Sequence, residues 1–168
     1  MKTRLSELAS IAEIIGAFAV VISLVYVGIQ VRDSTGAVRA ASANDANVAL
    51  QNWYLEIGTD QQTSEIFYKA LMSEEALLAS EEFQFLMIFH GVFLGFQNSY
   101  WLAEEGTLDR ELLESLTVAV LGVKDTPGFV RYWRQRKSYL SSRFADYVDQ
   151  LLEQETNPSM DLYRVPGG

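Results

Sequence analysis

An uncharged, apolar run near the N-terminus constrains this chain more than any other feature of its sequence. It reads IIGAFAVVISLVYVGI, from Ile14 to Ile29, and Gln30 and Val31 extend it to Arg32. As an α-helix, residues 14–31 would span about 27 Å, close to the hydrocarbon thickness of a bilayer, which is about 30 Å. The sequence therefore predicts a transmembrane helix within residues 1–32.

Two other structures would explain the same run. A buried helix of a soluble domain can be apolar, but it is seldom apolar on every face over this length. A cleaved signal peptide would explain the basic start, and Ala41-Ser42-Ala43 fits the small-residue cleavage pattern. That site lies too far downstream, because Arg32, Asp33 and Arg39 stand between it and the apolar run. A membrane span is the preferred interpretation.

Small residues recur in this segment at alternating spacings of four and three. They form one helix face, named here the small-residue face: Ala12, Gly16, Ala19 and Ser23. Small side chains let two backbones approach closely in lipid, where hydrophobicity provides no force between helices. Small residues are also common in membrane helices generally, so the pattern fits either helix association or the ordinary composition of a membrane helix. Self-association into a homo-oligomer through this face is our hypothesis.

The flanking charges bear on orientation. Lys2 and Arg4 precede the run, and Arg32 and Arg39 follow it, which is a tie under the positive-inside rule. Because Arg32 directly follows the apolar run, we favour the cytoplasmic side for the rest of the chain.

The remainder of the chain carries helix signals and no strand pattern. An alanine-rich stretch predicts a helix up to about Gly58, and Asp33-Ser34-Thr35-Gly36 either restarts a helix or continues one long helix. Hydroxyl or carboxylate caps predict helix starts at Ser73, Ser80, Asp109 and Thr126. Further helices are expected over residues 62–72, 110–124, 127–138 and 144–153. The expected class is all-α, with a transmembrane helix (1–32), a helical bundle domain (33–154) and an irregular tail (155–168).

A second apolar run, FQFLMIFHGVFLGF from Phe83 to Phe96, could be a core helix or another membrane span. Its uninterrupted part is only about 14 residues, and Gln97, Asn98 and Ser99 follow it, so a core helix is favoured. Gly91 and Gly95 would permit a close crossing with a neighbouring helix.

No constellation of residues indicates catalysis, a metal site or a cofactor. The chain has no cysteine, and its one histidine, His90, lacks further ligands at helical spacing, so a hydrogen-bonded core histidine is expected. Glutamates are paired at 74/75, 81/82 and 104/105, but adjacent helix residues point about 100° apart. Capping and solvation explain these pairs better than acid–base work. The sequence predicts a protein that is not an enzyme.

Charge is distributed unevenly along the chain. The net charge is −9, which argues against nucleic acid as a partner. Five bases occur without an intervening acid, and we name them the basic cluster: Arg131, Arg134, Arg136, Lys137 and Arg143. Interleaved aromatic residues suit this cluster to anionic lipid headgroups or an acidic partner surface. Alternatively, it packs against acidic helices of the same or a neighbouring subunit.

Several residues along the chain carry a family resemblance. They are Leu24 to Thr35 (LVYVGIQVRDST), Pro127-Gly128, Trp133, Arg136, Phe144 and Tyr147-Val148-Asp149. With the apolar N-terminal helix, they resemble an uncharacterised family of bacterial membrane-anchored helical proteins, over roughly residues 14 to 150. The resemblance implies a bacterial inner-membrane location and single-pass topology, and it carries no activity.

These features favour a membrane-anchored protein with a scaffolding or interaction role, whose partners are the lipid bilayer, further copies of itself and another membrane protein. The alternative is a membrane-tethered sensor that holds an apolar ligand among the aromatic residues of Phe83 to Trp101, as pockets between helices can do.

Overall fold

The computed structural model describes the backbone of residues 2–154 and the side chains of residues 13–154. The expected irregular tail, 155–168, and the side chain of Ala12 lie outside the described residues. Every regular element within this range is helical: α1 (Lys2–Thr59), α2 (Gln61–Met72), α3 (Ala79–Glu104), α4 (Arg110–Leu121), α5 (Pro127–Arg136), a 3-10 helix (Lys137–Tyr139) and α6 (Ser142–Leu152). The expected all-α class is confirmed.

The first helix, α1, is continuous from Lys2 to Thr59. The polar stretch Asp33–Gly36 continues it rather than restarting it. Thr35 contributes to this continuity, because its hydroxyl donates a hydrogen bond of 2.8 Å to the carbonyl of Val31 within the helix. The helix ends one residue after Gly58, close to its expected end.

The chain divides into two units, and the division along the sequence falls between Ala40 and Ala41. In the first unit, every described side chain, from residue 13 to residue 40, is exposed. Among the described residues, one helix is long and apolar enough to cross a membrane, and it contains this segment near the N-terminus.

In the second unit, α3 contacts α2, α4 and α5. Its buried aromatic residues recur at helical spacing and contribute most of its inner face: Phe85, Phe89, Phe93, Phe96 and Tyr100. The opposite face leaves Phe83 and Leu94 exposed. The run from Phe83 to Phe96 is therefore a core helix, as the interrupting polar residues indicated.

Two of the four expected caps are present. Asp109 accepts a hydrogen bond from the backbone N–H of Glu111, and Thr126 accepts one from Phe129 with Pro127 in the first turn of α5. Asp60 forms a further cap, because its carboxylate accepts from the N–H of Thr63, 2.7 Å away, and starts α2 directly after α1.

The helix start predicted at Ser73 is wrong. Ser73 is the C-cap of α2, and its hydroxyl accepts a hydrogen bond from Glu75 N–H in a local turn instead of opening a helix. The start predicted at Ser80 falls inside α3, whose N-cap is Leu78. Here the Glu81 carboxylate accepts from the Leu78 N–H at 2.8 Å, so a glutamate performs the capping that we expected of a serine.

Candidate functional site

A cavity of about 500 Å³ lies within the second unit, and we name it the aromatic cavity. Its buried floor is made by phenylalanines of α2 and α3: Phe67, Phe89, Phe93 and Phe96. The part of α1 from Asp45 to Glu56 forms one wall, and Leu116, Ala119 and Val120 of α4, with Val123 just after that helix, form another. Its volume falls within the range of small-molecule sites, about 300–1,000 Å³.

Trp53 fixes α1 at this cavity. Its indole N–H donates a hydrogen bond of 3.1 Å to the carbonyl of Ile88 on α3, and its ring meets Phe67 edge to face at a centroid distance of 5.6 Å. An aromatic pair of this geometry contributes about 0.5–1.5 kcal/mol beyond its buried area. Trp53 therefore holds the α1 wall against the aromatic floor.

The sequence located only part of this cavity. The run from Phe83 to Trp101, where we expected an apolar ligand, supplies three of the four floor residues. Phe67 of α2 and the walls from α1 and α4 were not anticipated. A signal for α1 exists, because its half-buried apolar residues recur at spacings of three and four: Ala43, Ala46, Leu50, Trp53 and Ile57. That stripe is typical of a helix with one packed face, and the abundance of alanine around it obscured the pattern.

The small-residue face lies on the exposed part of α1. Gly16, Ala19 and Ser23 are exposed, and a Cβ placed on Gly16 would meet nothing within 4 Å. Tyr26 and Gln30 continue the same face, since the Gln30 amide donates to the Tyr26 hydroxyl at 3.1 Å. The face is thus open along its described length and available to lipid or to another helix.

The basic cluster divides into paired and unpaired members. Nε of Arg131 lies 3.1 Å from Glu82 of α3, and its Nη2 donates to the Ala70 carbonyl at 2.8 Å. Arg143 lies 3.4 Å from Glu104. These pairs match the alternative in which the bases pack against acidic helices of the same subunit.

The other three members of the cluster have different surroundings. Lys137 pairs with Asp149 of α6, which also accepts a hydrogen bond of 2.9 Å from the Trp133 indole. Burial would raise the pKa of Asp149, but the hydrogen bonds from Lys137 and Trp133 outweigh it and hold that pKa below its usual range. Arg136 lies over the ring of Tyr139, and Arg134 is exposed. Arg134 therefore remains the member most accessible to an acidic partner or headgroup.

His90 is a hydrogen-bonded, half-buried histidine, as expected. Its Nδ1 and the hydroxyl of the fully buried Tyr132 share a hydrogen bond of 3.1 Å. Burial, and to a lesser extent the positive charge of Arg136, lowers the pKa of His90. Burial also raises the pKa of Tyr132, so its hydroxyl stays protonated. The pair joins α3 to α5 without bearing a charge at neutral pH.

This pair predicts a specific loss of stability in mild acid. Below pH 6.5 the unfolded chain protonates His90, whereas the folded chain does not until a lower pH. The unfolded state then binds more protons, so the free energy of unfolding falls as the pH decreases through this window. Urea unfolding at pH 7.5 and pH 5.5 should show a smaller decrease for His90→Gln than for the wild type. An identical decrease in both chains would contradict the assignment.

The paired glutamates serve structural roles where the structure describes their contacts. Glu81 caps α3, Glu82 pairs with Arg131, and Glu104 lies 3.4 Å from both Arg110 and Arg143. Among the described side chains, no group of three or more histidines, aspartates or glutamates could hold a metal ion. The described lining of the aromatic cavity is mostly apolar, so it can bind a ligand through apolar contact.

Comparison of the chain with protein-family models, with curated protein sequences and with solved structures finds no match.

Proposed function

We propose that this chain is a single-pass protein of the bacterial inner membrane, in which α1 anchors a helical bundle and assembles with other copies into a scaffold for another membrane protein. The continuous exposure of residues 13–40 carries this proposal. From Ile14 to Val31 the large apolar side chains are 51–67% exposed. Monomeric soluble proteins rarely leave so large an apolar surface uncovered, so lipid is the covering that this helix suits.

The apolar surface of this segment of α1 extends around the whole helix. It is not confined to one stripe that could dock on a protein partner. Val20, Val21 and Ile22 follow one another at about 100° around the helix, and their side chains are 60%, 57% and 66% exposed. A helix that binds one soluble partner would carry polar residues on its other face. The resemblance to bacterial membrane-anchored proteins and the position of Arg32 support an inner-membrane location with the bundle on the cytoplasmic side.

Assembly follows from the small-residue face. A span anchored in lipid gains nothing from apolar burial, so association depends on close backbone approach at Gly16 and Ala19. In the described structure that face makes no close contact with the chain itself. A second copy presents the same face and would form a symmetric pair.

Cysteine cross-linking in isolated membranes tests the span and the assembly together. The chain has no native cysteine, so Ser23→Cys introduces a single thiol of nearly the same size on the small-residue face. We expect oxidation to give a covalent dimer, because the two thiols meet where the helices cross. Adding Gly16→Leu and Ala19→Leu should abolish the dimer by separating the backbones. The protein should stay in the membrane after an alkaline carbonate wash.

Val25→Cys is the matched control, since position 25 lies on the opposite side of the helix. It should give no dimer under the same oxidation. Equal cross-linking at positions 23 and 25, or a dimer that survives the double leucine substitution, would rule out assembly through this face. Release of the protein by the carbonate wash would rule out the membrane span itself.

A further inference from the structure

We propose that the aromatic cavity is a binding site for a single-chain amphiphile with an uncharged polar end, such as a long-chain alcohol. The observations that carry this inference are its apolar floor, two glycines that no neighbouring group approaches, and a polar margin without a basic residue. It concerns the second unit alone and does not depend on the membrane anchor.

The floor suits an alkyl chain. Phe89, Phe93 and Phe96 are 2–5% exposed, and their rings form one aromatic cluster. The ring centroid of Phe93 lies 5.6 Å from that of Phe89 and 6.3 Å from that of Phe96. Half-buried Leu50 and Val92 extend this surface toward the outside. An apolar lining with a few polar groups at one side is the usual composition of a small-molecule site.

Two glycines of α3 show that the space is not closed by the chain itself. We expected Gly91 and Gly95 to permit a close helix crossing, but a Cβ on either residue would meet nothing within 4 Å. Both line the cavity, as do Ala46 and Ala49 of α1. Glycine inside a helix costs about 0.5–1 kcal/mol relative to alanine, and close packing within the chain does not offset that cost here. The missing side chains enlarge the cavity.

Charge at the margin selects the polar end of the ligand. Asp45 and Glu56 line the cavity, as do the exposed amides of Asn52 and Asn98, whereas no lysine, arginine or histidine among the described side chains does. Carboxylates accept hydrogen bonds and repel anions. A hydroxyl group can donate to either carboxylate, but a sulfate or carboxylate head beside either of them would meet a like charge. An uncharged donor therefore fits this margin, and an anionic lipid does not.

Photo-labelling of the full chain in phosphatidylcholine nanodiscs tests the inference. The probe is hexadecanol with a diazirine at mid-chain, and its sulfate ester with the same diazirine is the charged counterpart. Tryptic mapping should locate the alcohol on peptides that contain Trp53 and Val92. The sulfate ester should label these peptides about tenfold less, because its charge is repelled by the carboxylate at either end of the cavity margin. Labelling of residues 14–31 is recorded separately and reports contact with the bilayer.

Filling the cavity provides the decisive variant. Gly95→Leu should reduce labelling of the Trp53 and Val92 peptides about tenfold by occupying the alkyl position. The matched control is Leu94→Phe, which adds volume at the neighbouring, exposed residue outside the cavity lining and should leave labelling unchanged. If Gly95→Leu does not fold, Ala49→Leu fills the cavity from the α1 wall and should give the same loss.

Two results would overturn the inference. One is labelling at the cavity that Gly95→Leu or Ala49→Leu leaves at the wild-type level. The other is equal labelling by the alcohol and its sulfate ester, because the acidic margin would then exert no selection. Neither result bears on the membrane anchor, which the cross-linking at position 23 and the carbonate wash test independently.

Discussion

Replacing Gly128 with alanine should destabilise the second unit by about 3 kcal/mol, the upper end of the usual cost of overpacking. Gly128 lies in the first turn of α5, where that helix crosses the end of α2. A Cβ at this position would clash with the carbonyl oxygen of Ala70 and lie 2.6 Å from the Cα of Leu71. Both are backbone atoms, so no side chain can rotate away, and the two helices would have to separate.

Separation would also break a polar contact beside the glycine. The same Ala70 carbonyl accepts a hydrogen bond of 2.8 Å from Arg131, which pairs with Glu82 of α3. Moving α5 away from α2 would lengthen this bond at a half-buried position, and an unsatisfied carbonyl there adds to the cost. Gly128 and Arg131 therefore stabilise one junction of three helices.

Urea unfolding of the full chain in neutral detergent, followed by tryptophan fluorescence, measures this effect. All three tryptophans lie beyond Ala40, at positions 53, 101 and 133, so the signal reports the second unit. Gly95→Ala is the matched control, because the same change in open helical space should stabilise the chain by up to about 1 kcal/mol. If Gly128→Ala also stabilised the chain, the close crossing of α2 and α5 would be refuted.

The start of α5 could be predicted from the sequence, but the helix against which it packs could not. Thr126 and Pro127 correctly predicted the start of α5, since capping depends on residues within one turn. Which helix Gly128 meets depends on contacts more than fifty residues apart in the chain. Periodicity identifies an apolar face but not the face that covers it. Glycine at position 128 therefore gave no sign of its role.

The same limit applies to the charges and to the cavity. The basic cluster was recognised as a group, but only the fold shows that Arg131 and Arg143 meet Glu82 and Glu104. Gly91 and Gly95 pointed to a close helix crossing because small residues usually mark one. In the fold they border empty space, and no local pattern distinguishes a glycine that admits a helix from a glycine that leaves a cavity.

Phe93→Ala should have the largest effect, a loss of about 3–5 kcal/mol, as is typical when a buried phenylalanine is truncated. Phe93 is 2% exposed and lies at the centre of the aromatic cluster. Its ring centroid is 5.0 Å from that of Tyr132, 5.6 Å from that of Trp133 and 6.1 Å from that of Phe129. The substitution therefore weakens contacts between α3 and α5, and it joins new empty volume to a cavity that the chain already leaves open.

The existing cavity affects how much stability Phe93→Ala should lose. When the surroundings of a truncated side chain cannot move inward, the full cost of the lost contacts remains. Gly91 and Gly95 border the open space near Phe93, and neither has a side chain that could fill the gap. The control Phe83→Ala removes the same atoms from the same helix at a position that is 63% exposed, and it should change the free energy of unfolding by less than about 0.5 kcal/mol. If the two variants unfolded at the same urea concentration, Phe93 would not be a core residue and the cavity floor as described would be wrong.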